Sequence, residues 1–406
     1  LARGPDLPGS PLNSAGSALP TRSVYQATVD HLMLEAKIGG YEAAAAARPR
    51  LEAVYGAAAR LIGADSDDIA LVESATVGWQ RLVEAMRLGP GDRVVATRLT
   101  YVSSALQLIE LERCGVELEI LPETDGGLDL ATLEKALAKG ASLLVGTHVA
   151  TSSGRPEPVV KMGRLARAAG VPFLLDATQS VGQLPTGVAA IGCDALVTTG
   201  RKFLRAPRGT GFLYVSPRFR ATLRPTAPDV RGATWSEDRD FELAETARRF
   251  ETWEASHALR LGLGVALEEA ASLGVERISR HLLDLAGLLR RRLDEVPGIT
   301  VCEPLDAGSA IVTFVREGES PQQTQQTLAS HDRQVVVVPA SHGYWDLRPR
   351  GLDAVVRASV HVYNGPDDVD SVIECLERNP PAGMCSGHSW SPSRQPSSTA
   401  SKPAWR

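Results

Sequence analysis

The chain has 406 residues, 43% hydrophobic and 22% charged, which is enough apolar material to bury a large core and to build two lobes. A formal net charge of −5 gives no electrostatic footing for nucleic acid or an anionic membrane, and no run of about 18 apolar residues marks a membrane span. Cys114, Cys193, Cys302, Cys375 and Cys385 lack metal-ligand spacing and read as reduced thiols, and the opening LARGPDLPGS lacks a secretory core, so a metal-free cytoplasmic protein is expected.

Residues 1–20 are rich in Pro, Gly and Ser and read as an extended N-terminal arm, with LNSAGSALP from Leu12 to Pro20 inside it. Helical periodicity predicts helices over about 25–37 and 41–62, separated by the stop Gly39-Gly40-Tyr41. A strand from Ile69 then passes through small residues, IALVESATVGW, into an amphipathic stretch over 79–86. Such a junction presents free N–H groups and the positive end of a helix, which suit a phosphate dianion at Ala75 and Thr76. Taken alone, the same residues are a plain helix cap. A turn and strand over 90–96, a helix headed by Tyr101 and running to Cys114, a strand over 116–121 and a helix over 130–139 follow. The alternation of β and α is that of a doubly wound sheet. Ser142 to Pro158 is a buried strand running into a polar loop.

VPFLLDATQSVGQ, Val171 to Gln183, is a short apolar strand ending in Asp176. A buried parallel strand delivers a carboxylate to the sheet edge in this way. LVTTGRKFLRAPRGTGFLYV, Leu196 to Val215, is a pair of strands with Lys202 on the loop between them and a turn at Gly209 and Gly211. Apolar flanks and the neighbouring Arg201 both favour the neutral amine, and a neutral lysine attacks an aldehyde to give a Schiff base. A strand-end aspartate of this kind calls for a cationic partner, and a pyridinium nitrogen is one candidate, which the carboxylate would keep protonated so that the ring serves as an electron sink. Read singly, Lys202 is a solvated surface lysine and Asp176 a helix cap.

Arg224 to Trp253 is irregular in pattern. A helical stretch from about Ser256 to Leu293 leads into strands over 299–301, 310–315, 334–338 and 355–360 and a helix over 321–330. The expected division is an arm over 1–20, a large domain over 21–255, a small domain over 256–380 and a disordered, Pro- and Ser-rich tail over 381–406.

This spaced set of motifs resembles class V of the fold type I pyridoxal-phosphate enzymes, over roughly residues 12–376. The resemblance implies an α/β fold with a mostly parallel, seven-stranded large domain and a smaller α+β C-terminal domain. It implies pyridoxal 5'-phosphate as cofactor, an amino acid as substrate and a homodimer. By the resemblance Lys202 holds the cofactor aldehyde, Asp176 meets the pyridine nitrogen, Gln179 of DATQ faces the 3-hydroxyl and Tyr101 stacks on the ring. Thr199 and Arg201 stand where relatives carry a serine and a histidine that touch phosphate. Thr151 stands near an asparagine of relatives, with His148 and Ser152 as alternatives. Arg357, in VRASVHVYNGPDDVD, matches the clamp for the substrate α-carboxylate. After Arg249-Phe250-Glu251, where relatives place a glycine-threonine pair, this chain has Thr252-Trp253-Glu254.

GGYEAAAA, the Arg201-Lys202 pair and FETWEASHALRLGLGVAL from Phe250 resemble the hercynylcysteine sulfoxide lyases of ergothioneine biosynthesis. That subgroup implies Tyr41 as a pocket residue of the same or a partner subunit. Cysteine desulfurases need a nucleophilic cysteine near 335–345, and VVVVPASHGYW has none. The expected activity is β-elimination at a carbon–sulfur bond of a cysteine conjugate or its sulfoxide through a Cα carbanion, with His342 or Tyr344 meeting the substrate side chain. Aminotransferase and epimerase chemistry begin the same way and stay open. So does a non-catalytic binding protein that keeps the fold.

Overall fold

The structure, a computed structural model, describes residues 9–124 and 127–381. Nearly all of the expected C-terminal tail, from residue 382 on, lies outside the described residues. Helix α1 (Arg22–Ile38) starts where the Thr21 side chain accepts the Val24 N–H and stops at Gly39, and α2 (Gly40–Ile62) ends on the left-handed Gly63.

The large sheet contains β1 (Ile69–Val72), β2 (Arg93–Thr97), β3 (Glu117–Leu121), β4 (Leu143–Thr147), β5 (Phe173–Asp176), β6 (Ala195–Thr199) and β7 (Gly211–Val215). Its order is β1-β7-β6-β5-β4-β2-β3. Only β7 runs against its neighbours. The expected mostly parallel seven-stranded sheet is therefore present. Helices α3 (Ala75–Met86), α4 (Val102–Arg113), α5 (Leu130–Ala138) and α6 (Val159–Ala169) connect its parallel strands. Successive strand residues serve opposite faces. Val95, Leu144, Phe173, Leu175 and Leu196 join one core cluster, while Val94, Leu143, Val145, Leu174 and Val197 join the other, under Trp79 and Leu82 of α3. Both faces are covered, so these strands read as continuous apolar runs.

Three departures from the sequence reading have local causes. Helix α6 follows a loop rich in turn residues, which hid its inward Val159, Met162 and Ala166. The helical stretch after Ser256 is broken at Gly274, whose φ is +80°, into α7 (His257–Leu273) and α8 (Val275–Asp294). Helix α7 packs on α1 and α2, whereas α8 packs on the second sheet. The irregular region after Arg224 contains a hairpin, Ala233–Glu237 against Asp240–Leu243.

The second sheet has β8 (Ile299–Val301), β9 (Ile311–Arg316), β10 (Val336–Pro339) and β11 (Ala354–Ser359), antiparallel in the order β8-β9-β11-β10. Helices α9 (Pro321–Ala329) and α10 (Pro366–Arg378) complete this α+β unit. Residues 10–19 of the expected arm are packed rather than free, and residues 1–8 lie outside the described residues. Ser10–Pro11 pairs in parallel with Arg333–Gln334, Leu12 is fully buried, and the Ser359 N–H donates to the Leu12 carbonyl at 2.7 Å. The segment lies between the small sheet and the loops at the edge of the large one.

Candidate active site

The ends of β1, β2, β5 and β6 meet one cavity of about 220 Å³ at the C-terminal edge of the large sheet, where open α/β sheets leave a crevice. Ala75, Thr76, Tyr101, Asp176, Thr199, Arg201 and Lys202 all line it. The structure thus brings together residues spread over more than a hundred positions.

Helix α3 begins directly after β1, and Ser74 caps it by accepting the Val77 N–H at 3.2 Å. The N–H groups of Ala75 and Thr76, in the first turn, have no helical carbonyl within reach and are available to an anion. Tyr101 heads α4, with its ring centre 5.8 Å from Lys202 Nζ. Asp176 closes β5 in register with Val197 of β6, and its Oδ1 accepts the Thr178 N–H at 2.9 Å. From β6 the chain passes Gly200, whose N–H donates to the Thr210 carbonyl at 2.8 Å, and reaches Lys202. The Asp176 loop crosses close to the Lys202 loop at Gly182, with φ +90°. A Cβ there would lie 2.6 Å from the Phe203 carbonyl oxygen, so only glycine fits.

Burial governs the electrostatics of the cavity. Lys202 is 6% exposed. Desolvation pushes its amine down to about 7, Arg201 and Arg357 act in the same direction, and Asp176 opposes them. Burial pushes the Asp176 carboxyl up, against its bonds to Thr178 and the Lys202 charge. An amine and a carboxyl that both resist charging are complemented by a ligand that brings an aldehyde to one and a cation to the other.

The surrounding groups divide into engaged and unengaged atoms. Gln179 donates Nε2 to the Ala15 carbonyl at 3.1 Å, while its buried Oε1 has no protein partner and is free to accept from a ligand hydroxyl. Thr199 donates its hydroxyl to the Thr210 carbonyl at 3.1 Å, and Arg201 is bonded to the Gly16 carbonyl. Arg357 arrives on β11 from the small sheet, 4% exposed. It donates to Asn13 Oδ1 at 3.2 Å and to Thr151 Oγ1, and its buried Nε has no partner. Burial, then Arg201, pushes its pKa down to about 10. It remains a cation at neutral pH, and among the described residues no carboxylate pairs with it. His148, first after β4, is buried with Nδ1 unpartnered and is pushed down to about 4 by burial, so it is neutral.

Thr151, Gln179, Arg357, Tyr41 and His342 are not among the residues that line this cavity. Tyr41 is 79% exposed and borders a separate groove with Trp253 and His257. His342 is exposed on the turn Ala340–His342. Sequence reasoning missed Ser104, Thr178 and Arg208 in the cavity wall, and although the segment 12–20 stands where relatives line the substrate mouth, that reasoning gave Asn13, which meets Arg357, no role of its own. For Asn13 the available signal was one amide in an otherwise small-residue segment. For Arg208 it was a cation inside the glycine turn.

These residues fit pyridoxal phosphate. The first turn of α3 and Arg201 suit its phosphate, Asp176 its ring nitrogen, the orphan Gln179 oxygen its hydroxyl, the Tyr101 ring its face and neutral Lys202 its aldehyde. Over 351 residues, 84% of this chain and 86% of the relative, the sequence is 27% identical to a probable cysteine desulfurase of Methanothermobacter thermautotrophicus. It is 29% identical over 377 residues, 92% of this chain and 90% of the relative, to a probable hercynylcysteine sulfoxide lyase of Mycobacterium tuberculosis. Its fold matches the apo cysteine desulfurase of Thermococcus onnurineus NA1 with a TM-score of 0.84 at 25% identity, covering 91% of this chain and 94% of that one. The family model described as aminotransferase class-V matches residues 11–372. On that match and on the cavity that holds Lys202 and Asp176, the chain belongs to the aminotransferase class-V family and is a pyridoxal-phosphate-dependent enzyme.

Proposed function

We propose that the protein is a carbon–sulfur β-lyase acting on a cysteine conjugate or its sulfoxide. The observation that carries this reading is a lysine amine held near pKa 7 in one cavity with Asp176 and within electrostatic range of Arg357. Two facts weigh against persulfide transfer. Segment 335–345 contains no cysteine, and burial pushes the Cys302 thiol up to about 12, where it is inert as a nucleophile. The names of the relatives support chemistry at a carbon–sulfur bond.

Pyridoxal phosphate, when bound, supplies an aldehyde for the substrate amino group and an electron sink for the Cα carbanion. Arg357, braced by Thr151 and Asn13, takes the α-carboxylate and fixes the orientation of the amino acid. Neutral Lys202 removes the Cα proton at Nζ. Asp176 holds positive charge at the ring nitrogen and so stabilises the carbanion. The Cβ–S bond breaks with its electron pair on sulfur, which leaves as thiolate or, from a sulfoxide, as sulfenate. Hydrolysis of the remaining three-carbon unit gives pyruvate and ammonia.

The test is incubation of the holoenzyme with a panel of cysteine conjugates and their sulfoxides. Pyruvate, ammonia and a thiol or sulfenate in equal amounts are expected. A keto acid accompanied by pyridoxamine phosphate would make it an aminotransferase, and inverted substrate an epimerase; either result overturns the lyase reading.

A homodimer goes with this reading. Tyr25, Leu32 and Met33 are exposed on α1, and Tyr41 and Trp253 border a groove of about 620 Å³. Large apolar side chains exposed on one helix suit an interface, and that arrangement would leave Tyr41 to serve the neighbouring subunit's site. Sedimentation at twice the chain mass is expected, and a monomer at micromolar concentration would refute the dimer. No helix among the described residues is long and apolar enough to cross a membrane. Cys114, Cys193, Cys302 and Cys375 are free thiols, in keeping with a cytoplasmic location, which cell fractionation would check.

A further inference from the structure

A second cavity, of about 350 Å³, lies between the two lobes. Arg98, Glu123 and Arg155 line it from the large lobe, and Glu303, Asp346 and Arg350 from the small one. Its carboxylates already have partners. Glu123 meets Arg155 at 2.5 Å, and Asp346 meets Arg350 at 3.1 Å and Ser152 Oγ at 2.7 Å. Glu303 turns to Arg290 at 3.3 Å and to the Thr313 hydroxyl at 2.5 Å. Glu123 also feels the charge of Arg98, less than that of Arg155. Among the described residues no carboxylate is in ion-pair contact with Arg98, although its side chain is half-buried. A partly desolvated guanidinium short of a counter-charge is a receptor for an oxyanion.

The cavity adjoins the Lys202 site through shared chain segments. Arg98 stands three residues before Tyr101 on the same loop. The loop after β4 bonds Arg357 through Thr151, then reaches the second cavity at Ser153. At most about 7 Å of extended chain separates those two residues. The second cavity therefore begins one short step of chain from the residue that bonds Arg357.

We propose that this cavity is a distal substrate subsite in which Arg98 binds a carboxylate at the far end of the group carried on sulfur. The inference rests on the lyase reading and narrows it: the substrate is a cysteine conjugate with two anionic ends. Arg155 and Arg350, each already paired, set the walls, and Arg98 supplies the charge.

The test uses α-amino dicarboxylic acids of six to eight carbons and their ω-amides, in which methylene replaces sulfur so that no β-elimination is possible. Dissociation constants are measured by calorimetry on the holoenzyme. At one chain length the diacid is expected to bind about tenfold or more tighter than its ω-amide, the strength of a charge-assisted guanidinium–carboxylate pair. Arg98→Gln brings the ratio close to one, and Arg98→Lys retains part of it. A ratio near one in wild type at every length, or a ratio that survives Arg98→Gln, overturns the subsite. These ligands report binding alone. Failure of the lyase assay with the preference intact would count against the reaction, and loss of the preference with lyase activity intact would count against the subsite.

Discussion

Lys202→Ala is expected to eliminate turnover, with a loss of about a thousandfold or more, the range for a positioned proton-transfer group. It should also remove the near-visible absorbance band that wild-type protein develops with pyridoxal phosphate, and the protein label fixed by borohydride. The cause is specific to this amine. Burial and Arg201 push Lys202 down to about 7, so its neutral fraction rises as pH rises through 7 and is lost below it. An exposed lysine reaches that state only near its ordinary value of about 10.4. Capture of the aldehyde by cofactor-free wild type should therefore increase with pH and be half-maximal near 7. Labelling that persists in Lys202→Ala, or a capture midpoint near 10, would place the reactive amine elsewhere. Circular dichroism on both proteins separates these outcomes from misfolding.

Asp176→Asn is expected to lower kcat by about a hundredfold or more while the cofactor still binds. The substitution keeps the shape at the end of β5 and removes the charge. Burial pushes the Asp176 carboxyl up, so its ionised form needs a cation beside it, which the ring nitrogen of the bound cofactor would supply. With an amide there the nitrogen loses its proton, and the ring withdraws electrons from Cα less strongly. The thermal midpoint is expected to hold, because the substitution removes an expensive buried charge without opening a cavity. A kcat within tenfold of wild type would remove Asp176 from the mechanism.

Much of the site was legible in the chain because its core residues sit at element ends that have their own local signatures. Asp176 ends an apolar run, Lys202 follows another, and Ala75 and Thr76 occupy a strand-to-helix junction. Arg357 was legible only through a motif resemblance. What braces it was not, since Asn13 lies 344 residues away in sequence. Tyr41 and His342 were motif-level expectations, and within one subunit the fold sets both away from the cavity lining. The break at Gly274 shows the converse difficulty. A single glycine in an apolar pattern is as compatible with a continuous helix as with two, and packing on different partners decides between them.

By itself the sequence determined the alternation of strands and helices, the two-sided burial of the central strands and the pairing of a desolvated amine with a strand-end carboxylate. These follow from side-chain period, apolar run length and the nearest charged neighbour, all short-range properties of the chain. Only the tertiary structure decided that residues 10–19 pass between the lobes to brace Arg201, Gln179 and Arg357, and that Arg98 faces a cavity with its neighbouring carboxylates already paired. Such contacts join segments hundreds of residues apart. No local period encodes them, and they exist only once the two sheets and the segment between them have packed together.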